Sequence, residues 1–209
     1  MARNIFRGLG IALVTPFTSD GQVDYKSLKR LVEYQIDNGA DFLCILATTG
    51  ETPCLTQDEK DKITQLVKDV NHGRLPILKG CGGNNTAAVV EELRTADWSG
   101  IDGILSVCPY YNKPSQEGLY QHFKAIAEAS PLPVVLYNVP GRTGINLKPE
   151  TTVRLANDCE NIVAVKEASG SLEQVDEIIK NKPQRFDVLS GDDALTFSMV
   201  ASGAAGVIS

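Results

Sequence analysis

A chain of 209 residues has room for one sizeable domain with a real core, or at most two small ones. Its composition is mixed and unbiased, and a formal net charge of -6 argues against nucleic acid, whose phosphates need a basic face. An anionic small substrate stays open, because one Arg in a pocket outweighs the global charge locally.

The first apolar run, residues 8–14, is too short to span a bilayer and leads straight into Thr15-Pro16-Phe17. It reads as a buried strand over residues 10–14 and not as a signal peptide. Asp24 then caps a helix running to Gly39, with Leu28, Leu31, Val32 and Ile36 on one stripe. A strand follows over 42–47, and Thr56-Gln57-Asp58-Glu59 forms a capping box ahead of Ile63, Leu66, Val67 and Val70. Strands are expected over 76–80 and 104–108, and Ser115 starts a helix carrying Leu119, Phe123, Ile126 and Ala127. After a strand over 134–137, Pro149 sits at a first helical position. Strands over 162–166 and 188–190 come next. Gly203 stops a helix containing Phe197, Met199 and Val200 before the last strand, 206–209.

Most of these strands are apolar at every position, as strands buried on both faces of a parallel sheet must be. Strand then helix, repeated every roughly 20–30 residues, specifies βαβ units. An open doubly wound sheet and a closed barrel both satisfy that pattern. The barrel is favoured because the repeat runs through eight strands without a break, and the unusual polar residues fall just after strand ends, which converge on one face of a barrel. The expected fold is therefore α/β, a (β/α)8 barrel forming one catalytic domain over residues 1–209. The chain stops inside the eighth strand, so the eighth helix is expected to be absent and the natural protein to continue.

Five scattered cysteines, Cys44, Cys54, Cys81, Cys108 and Cys159, fit reduced thiols of a cytoplasmic protein better than a disulfide framework. No C-x-x-C occurs and His72 and His122 are isolated, so zinc is not expected. Gly80-Cys81-Gly82-Gly83-Asn84-Asn85 approaches a dinucleotide fingerprint but has Asn where the third Gly should stand. Ser190-Gly191-Asp192-Asp193 has too few ligands for a metal and reads as a helix cap.

Four strand ends carry groups with chemical potential. Lys166 closes the run Ile162-Val163-Ala164-Val165; desolvated there, it is partly neutral and can attack a carbonyl to form an imine, whereas a lysine snorkelling to solvent cannot. Tyr137 ends its strand and can act as an acid or base, and Arg142 in the following Gly- and Pro-shaped loop can clamp a carboxylate. Ala47-Thr48-Thr49-Gly50-Glu51 offers free backbone N–H groups and relay hydroxyls. Of Tyr110 and Tyr111, adjacent residues pointing apart, at most one faces a given site.

In order along the whole chain, residues 10–17, Thr48-Thr49-Gly50-Glu51, Tyr110-Tyr111-Asn112-Lys113-Pro114, residues 137–144, Val165-Lys166-Glu167-Ala168 and Ser190-Gly191-Asp192-Asp193 resemble the dihydrodipicolinate synthase (4-hydroxy-tetrahydrodipicolinate synthase) family. The resemblance implies a (β/α)8 barrel with a small C-terminal helical domain that would be missing here. It implies a cytoplasmic lyase of lysine and diaminopimelate biosynthesis, free of any cofactor, that joins pyruvate to L-aspartate 4-semialdehyde. On that reading Lys166 forms the imine, Tyr137 shuttles protons, and Thr48 and Tyr111 complete the relay. Thr49 holds the pyruvate carboxylate, Arg142 the incoming one, and Gly191 and Ile208 line the pyruvate pocket. Tyr111 reaches into a neighbouring subunit, which implies a homo-oligomer, usually a dimer of dimers. Related N-acetylneuraminate and 2-keto-3-deoxy sugar-acid lyases share the lysine and tyrosine and are the alternative. The Thr48-Thr49 pair and Arg142 favour the synthase, and a barrel that merely binds small acids is disfavoured by the complete set. Where lysine-inhibited members of the family have His and Glu, this chain has Gln57, Lys60, Asn84 and Ala88, so weak or absent lysine feedback is expected.

Overall fold

Strands apolar on both faces must be covered on both, and here they close on themselves. The structure, a computed structural model describing residues 5–209, runs β1 (Gly8–Ala12), α1 (Tyr25–Asp37), β2 (Phe42–Ile45), α2 (Gln57–Asn71), β3 (Ile77–Gly80), α3 (Thr86–Thr95), β4 (Gly103–Val107), α4 (Gln116–Ala129), β5 (Val134–Asn138), α5 (Pro140–Thr143), α6 (Pro149–Asp158), β6 (Ile162–Glu167), α7 (Leu172–Asn181), β7 (Asp187–Ser190), α8 (Thr196–Ala201) and β8 (Gly206–Ile208). All eight strands are parallel, in sequence order, and β8 pairs back onto β1 through Gly8↔Gly206 and Gly10↔Ile208. That seam needs glycine: a Cβ on Gly206, whose φ is 159°, would lie 2.1 Å from the Gly8 carbonyl oxygen.

Alternate strand residues feed two cores. Ala12, Phe42, Cys44, Leu78, Leu105, Val135, Tyr137, Ala164, Leu189 and Ile208 pack together inside the barrel, and Phe6 packs against Phe42. The other strand faces carry residues such as Ile104, Leu136, Val165 and Val188, which pack under the helices.

The helix signals hold locally. Asp24 accepts from the Ser27 N–H, Thr56 and Glu59 form a reciprocal capping box, Ser115 accepts from Gly118, and Pro149 opens α6. Two helices without a noted start signal, α3 and α7, are capped by Asn85 and Ser171. Three expectations shift. The first strand lies two residues earlier than residues 10–14, where its pairing with β8 and β2 is available. Arg142 sits on a single helical turn and not in an irregular loop, because Pro140 pre-sets the helical φ. Asp192 does not cap α8; its carboxylate accepts from the Ala194 N–H in a local turn before the helix begins. Among the described residues no helix is long and apolar enough to cross a membrane.

His122 on α4 is 4% exposed, meets Thr86 Oγ1 through Nδ1 at 2.8 Å, and has no protein partner for Nε2. Burial pulls its pKa down to about 4. Unfolded, the ring binds a proton below the usual value near 6.5, whereas folded it stays neutral until about 4. Acidification through that window therefore favours the unfolded chain, and this one group is expected to cost about 2 kcal/mol at pH 5 relative to pH 7. Urea unfolding at the two pH values should show a smaller pH-dependent loss for His122→Gln than for the wild type. An equal loss in both proteins would rule out His122 as the source.

Candidate active site

The C-terminal ends of the strands carry a cavity of about 420 Å³ lined by Thr48, Thr52, Lys60, Tyr110, Tyr137, Arg142 and the backbone of the β3 end, among others. Among the described residues, Lys60 and Arg142 have no carboxylate partner and no acidic residue lines the cavity. It is an anion-accepting mouth in an acidic protein.

Lys166 does not itself line this cavity; it lies inside the barrel against Tyr137, which does. Lys166 is 5% exposed, and its Nζ lies 4.6 Å from the centroid of the Tyr137 ring. Its direction depends on a bulge. Val134 pairs with Ile162 but Val135 pairs with Ala164, so Val163 is an extra residue in β6. Ile162 faces the helices; strict alternation from there would turn Lys166 outward as well. The inserted residue resets the phase, leaving Ala164 inside, Val165 outside and Lys166 inside, level with Tyr137. The snorkelling alternative is thereby excluded.

The electrostatics follow from this burial. Loss of water lowers the Lys166 pKa, Arg142 pushes in the same direction, and Cys44 and Asp193 oppose it. Burial likewise raises Tyr137, against Arg142 and a hydrogen bond from Thr48. Cys44, inside the barrel, is pushed up to about 11 by its own desolvation and stays a neutral thiol beside the amine. Its place near Lys166 was not signalled by the sequence, where Cys44 is one more apolar-strand cysteine. A desolvated amine, a buried phenol and two cations at the mouth can together form and protonate an imine on an anionic carbonyl compound.

The strand ends are held by local geometry. Thr48–Gly50 forms one 3-10 turn, whose first N–H groups have no partner inside the turn. Thr15 Oγ1 donates to the Gly50 carbonyl at 2.7 Å and Thr52 Oγ1 to that of Ala47 at 2.9 Å, fixing the turn. Of the five non-glycine residues with positive φ, Leu46, Glu51, Tyr111 and Lys113 lie on the loops after β2 and β4, and the fifth, His72, caps α2. Asn84 donates to the Tyr110 carbonyl and receives from Asn112, and the Tyr111 N–H reaches the Thr143 carbonyl. The failed nucleotide motif is thus a strap for the tyrosine loop.

Thr48, Tyr137 and Arg142 meet at the cavity, and Lys166 meets Tyr137. Thr49, Gly191 and Ile208 do not line the cavity, although Ile208 packs in the barrel core and Gly191 lies against Lys166. Tyr110, not Tyr111, lines the mouth; Tyr111 is 87% exposed and is not brought to the site of its own chain. A Cβ on Gly191 would approach Lys166 Cε to 2.8 Å and Cγ to 2.9 Å. Gly191→Ala is therefore expected to displace the amine and slow its reaction with carbonyl compounds by about 10²-fold, the usual cost of an ångström of misplacement. Borohydride trapping in a variant that keeps its melting temperature reads this out, and wild-type trapping would refute it.

The "Dihydrodipicolinate synthetase family" model matches residues 5–209. The 4-hydroxy-tetrahydrodipicolinate synthase of Phocaeicola vulgatus is 60% identical over 209 residues, which are 100% of this chain and 70% of that protein. The dihydrodipicolinate synthase structure from Aquifex aeolicus superposes with a TM-score of 0.92 at 45% identity, covering 98% of this chain and 69% of the other. The chloride-inhibited enzyme from Acinetobacter baumannii, complexed with pyruvate, gives 0.94 at 44% identity over 99% of this chain and 70% of its own.

Proposed function

The chain belongs to the dihydrodipicolinate synthetase family, and we propose that it condenses pyruvate with L-aspartate 4-semialdehyde to 4-hydroxy-tetrahydrodipicolinate through an imine on Lys166. The observation that carries the chemistry is a lysine, 5% exposed and lowered in pKa by burial, facing a buried tyrosine at the floor of an anion-accepting mouth.

The neutral Lys166 amine adds to C2 of pyruvate and the carbinolamine loses water to give the imine. Tyr137, hydrogen-bonded to Thr48, carries the protons of these steps. The turn Thr48–Gly50 offers its free N–H groups and the Thr49 hydroxyl to the pyruvate carboxylate. Loss of a C3 proton gives the enamine, whose C3 attacks the aldehyde carbon. Arg142 holds the semialdehyde carboxylate at the mouth. The semialdehyde's amino group then displaces Lys166 from C2, closing the ring and restoring the free amine. Gly191 gives the lysine chain room, and Ile208 supplies apolar wall.

Tyr111 completes the relay of a second copy in a homotetramer built as a dimer of dimers. The support is its geometry: an 87% exposed aromatic held at φ 72° is strain without a use in its own chain. The enzyme works in the cytoplasm, where free thiols persist. Lysine does not regulate it appreciably, because Gln57, Lys60, Asn84 and Ala88 stand where lysine-inhibited members of the family carry His and Glu, and the Lys60 ammonium repels a lysine ligand.

Borohydride reduction with pyruvate should place a single adduct on Lys166 by peptide mapping; an adduct elsewhere, or none on folded protein, would sink the imine reading. Aspartate semialdehyde should be consumed in a coupled assay, whereas turnover of N-acetylneuraminate or sugar acids instead would favour the sibling lyases. Tyr137→Phe should lower kcat by about 10²–10⁴-fold, the range for removing a positioned acid or base. Activity should rise with pH through the lowered Lys166 pKa, since only the deprotonated amine attacks. Lysine at low-millimolar concentration should leave the steady-state rate unchanged, and inhibition there would overturn the role given to Lys60.

A further inference from the structure

Glu167 follows the imine-forming lysine on β6 and points the other way, out of the barrel toward the helices. It is 1% exposed, yet no Lys or Arg touches it. Its carboxylate is met by neutral donors from three elements. Asn138 Nδ2, at the end of β5, reaches both oxygens at 3.1 and 3.2 Å. Gln174 Nε2 on α7 donates at 3.0 Å, and the Ser169 N–H, in the turn between, at 2.8 Å.

The donors are themselves locked. Asn138 Oδ1 accepts from the Leu147 N–H at 2.9 Å, and Asn146 joins the ring, receiving from Asn138 and donating to Gln174. The backbone continues the tie: the Gly191 N–H donates to the Glu167 carbonyl and the Ala168 N–H to that of Asn138. Burial pushes the Glu167 carboxyl up while these hydrogen bonds pull it down. A buried acid without a cation is costly, and an apolar or amide side chain would fill the same space. What the carboxyl adds is two oxygens that accept all four of these bonds, which an amide, carrying an NH₂ in place of one oxygen, cannot do.

The register shows what those bonds hold. Asn138 pairs with Glu167 as Tyr137 pairs with Lys166, so each working residue is one peptide unit from one member of the clamp. We infer that Glu167, gripped by Asn138 and Gln174, is a positioning residue that fixes the Lys166 amine relative to the Tyr137 hydroxyl from outside the barrel. The inference rests on the imine chemistry proposed above. Glu167 acts through backbone placement and not through its field, since it lies across the sheet and does not enter the causes of the Lys166 shift.

The test uses the full chain with pyruvate and borohydride. Glu167→Gln keeps the shape but turns an NH₂ group toward donors. It should slow trapping at Lys166 and lower kcat together by about tenfold or more, with the pyruvate KM within about threefold, the signature of a lost transition-state placement. The pH limb set by Lys166 should stay where it is. Gln174→Leu, which removes one donor and leaves the charge, should give a smaller loss of the same kind, and it carries the test if Glu167→Gln does not fold. Wild-type trapping in a folded variant, a loss that merely follows the unfolded fraction, or a moved Lys166 limb would each overturn the clamp. No adduct in the wild type would instead overturn the imine reading on which it rests.

Discussion

Neighbouring residues of a strand face opposite sides of its sheet, and at the ends of β5 and β6 this constraint separates chemistry from support. Tyr137 and Lys166 turn into the barrel; Asn138 and Glu167 turn out beneath the helices. The inner pair has to be dry and weakly hydrogen-bonded to react, while the outer pair has to be fully hydrogen-bonded to be buried at all. One β-ladder thus serves two opposite requirements, and a one-residue slip would exchange them. The extra residue at Val163 sets the phase on β6, and the fixed pairing of Tyr137 with Lys166 carries it to β5.

Desolvation is the largest influence on Lys166 and lowers its pKa, which the proposed imine chemistry requires. Cys44 beside it opposes that lowering, although its own desolvation raises the thiol to about 11. Asp193 pulls the amine toward its charged form and Arg142 pushes it back. A full carboxylate in the barrel next to Lys166 would form an ion pair and hold the amine protonated. The one deeply buried carboxylate nearby, Glu167, is kept on the far side of the sheet, where it can shape the backbone without titrating the nucleophile.

The barrel was legible because most strands are apolar throughout and several helices begin with a readable start signal, as at Asp24, Thr56, Ser115 and Pro149. Thr48 and Arg142 were legible because Gly and Pro mark the turns they occupy, and Tyr137 because it closes an apolar strand. The direction of Lys166 was not. In Ile162-Val163-Ala164-Val165 every residue is apolar, so no alternation shows which side of the sheet the lysine takes, and a bulge leaves no mark in such a run. Glu167 was passed over for a related reason. A Glu after a Lys at a strand end looks like ordinary surface, and its partners, Asn138, Ser169 and Gln174, come from separate elements of the chain. Cys44 gave no signal, since a thiol packs like an aliphatic group.

The strained loops complete the division of labour. Left-handed backbone at Leu46, Glu51, Tyr111 and Lys113 is unfavourable for side-chain-bearing residues and persists only where neighbouring contacts over-determine it. Those contacts are present: Thr15 and Thr52 brace the turn after β2, and Asn84 and Asn112 strap the tyrosine loop after β4. On this braced loop Tyr110 lines the mouth and Tyr111 is left exposed. Lys166 and Tyr137 are built on paired strands, while Thr48, Tyr110 and, on the proposed chemistry, the second substrate's partner Arg142 sit on turns at the mouth. A family of lyases sharing one imine chemistry can therefore change its second substrate by altering turns, leaving the ladder that aims the lysine untouched.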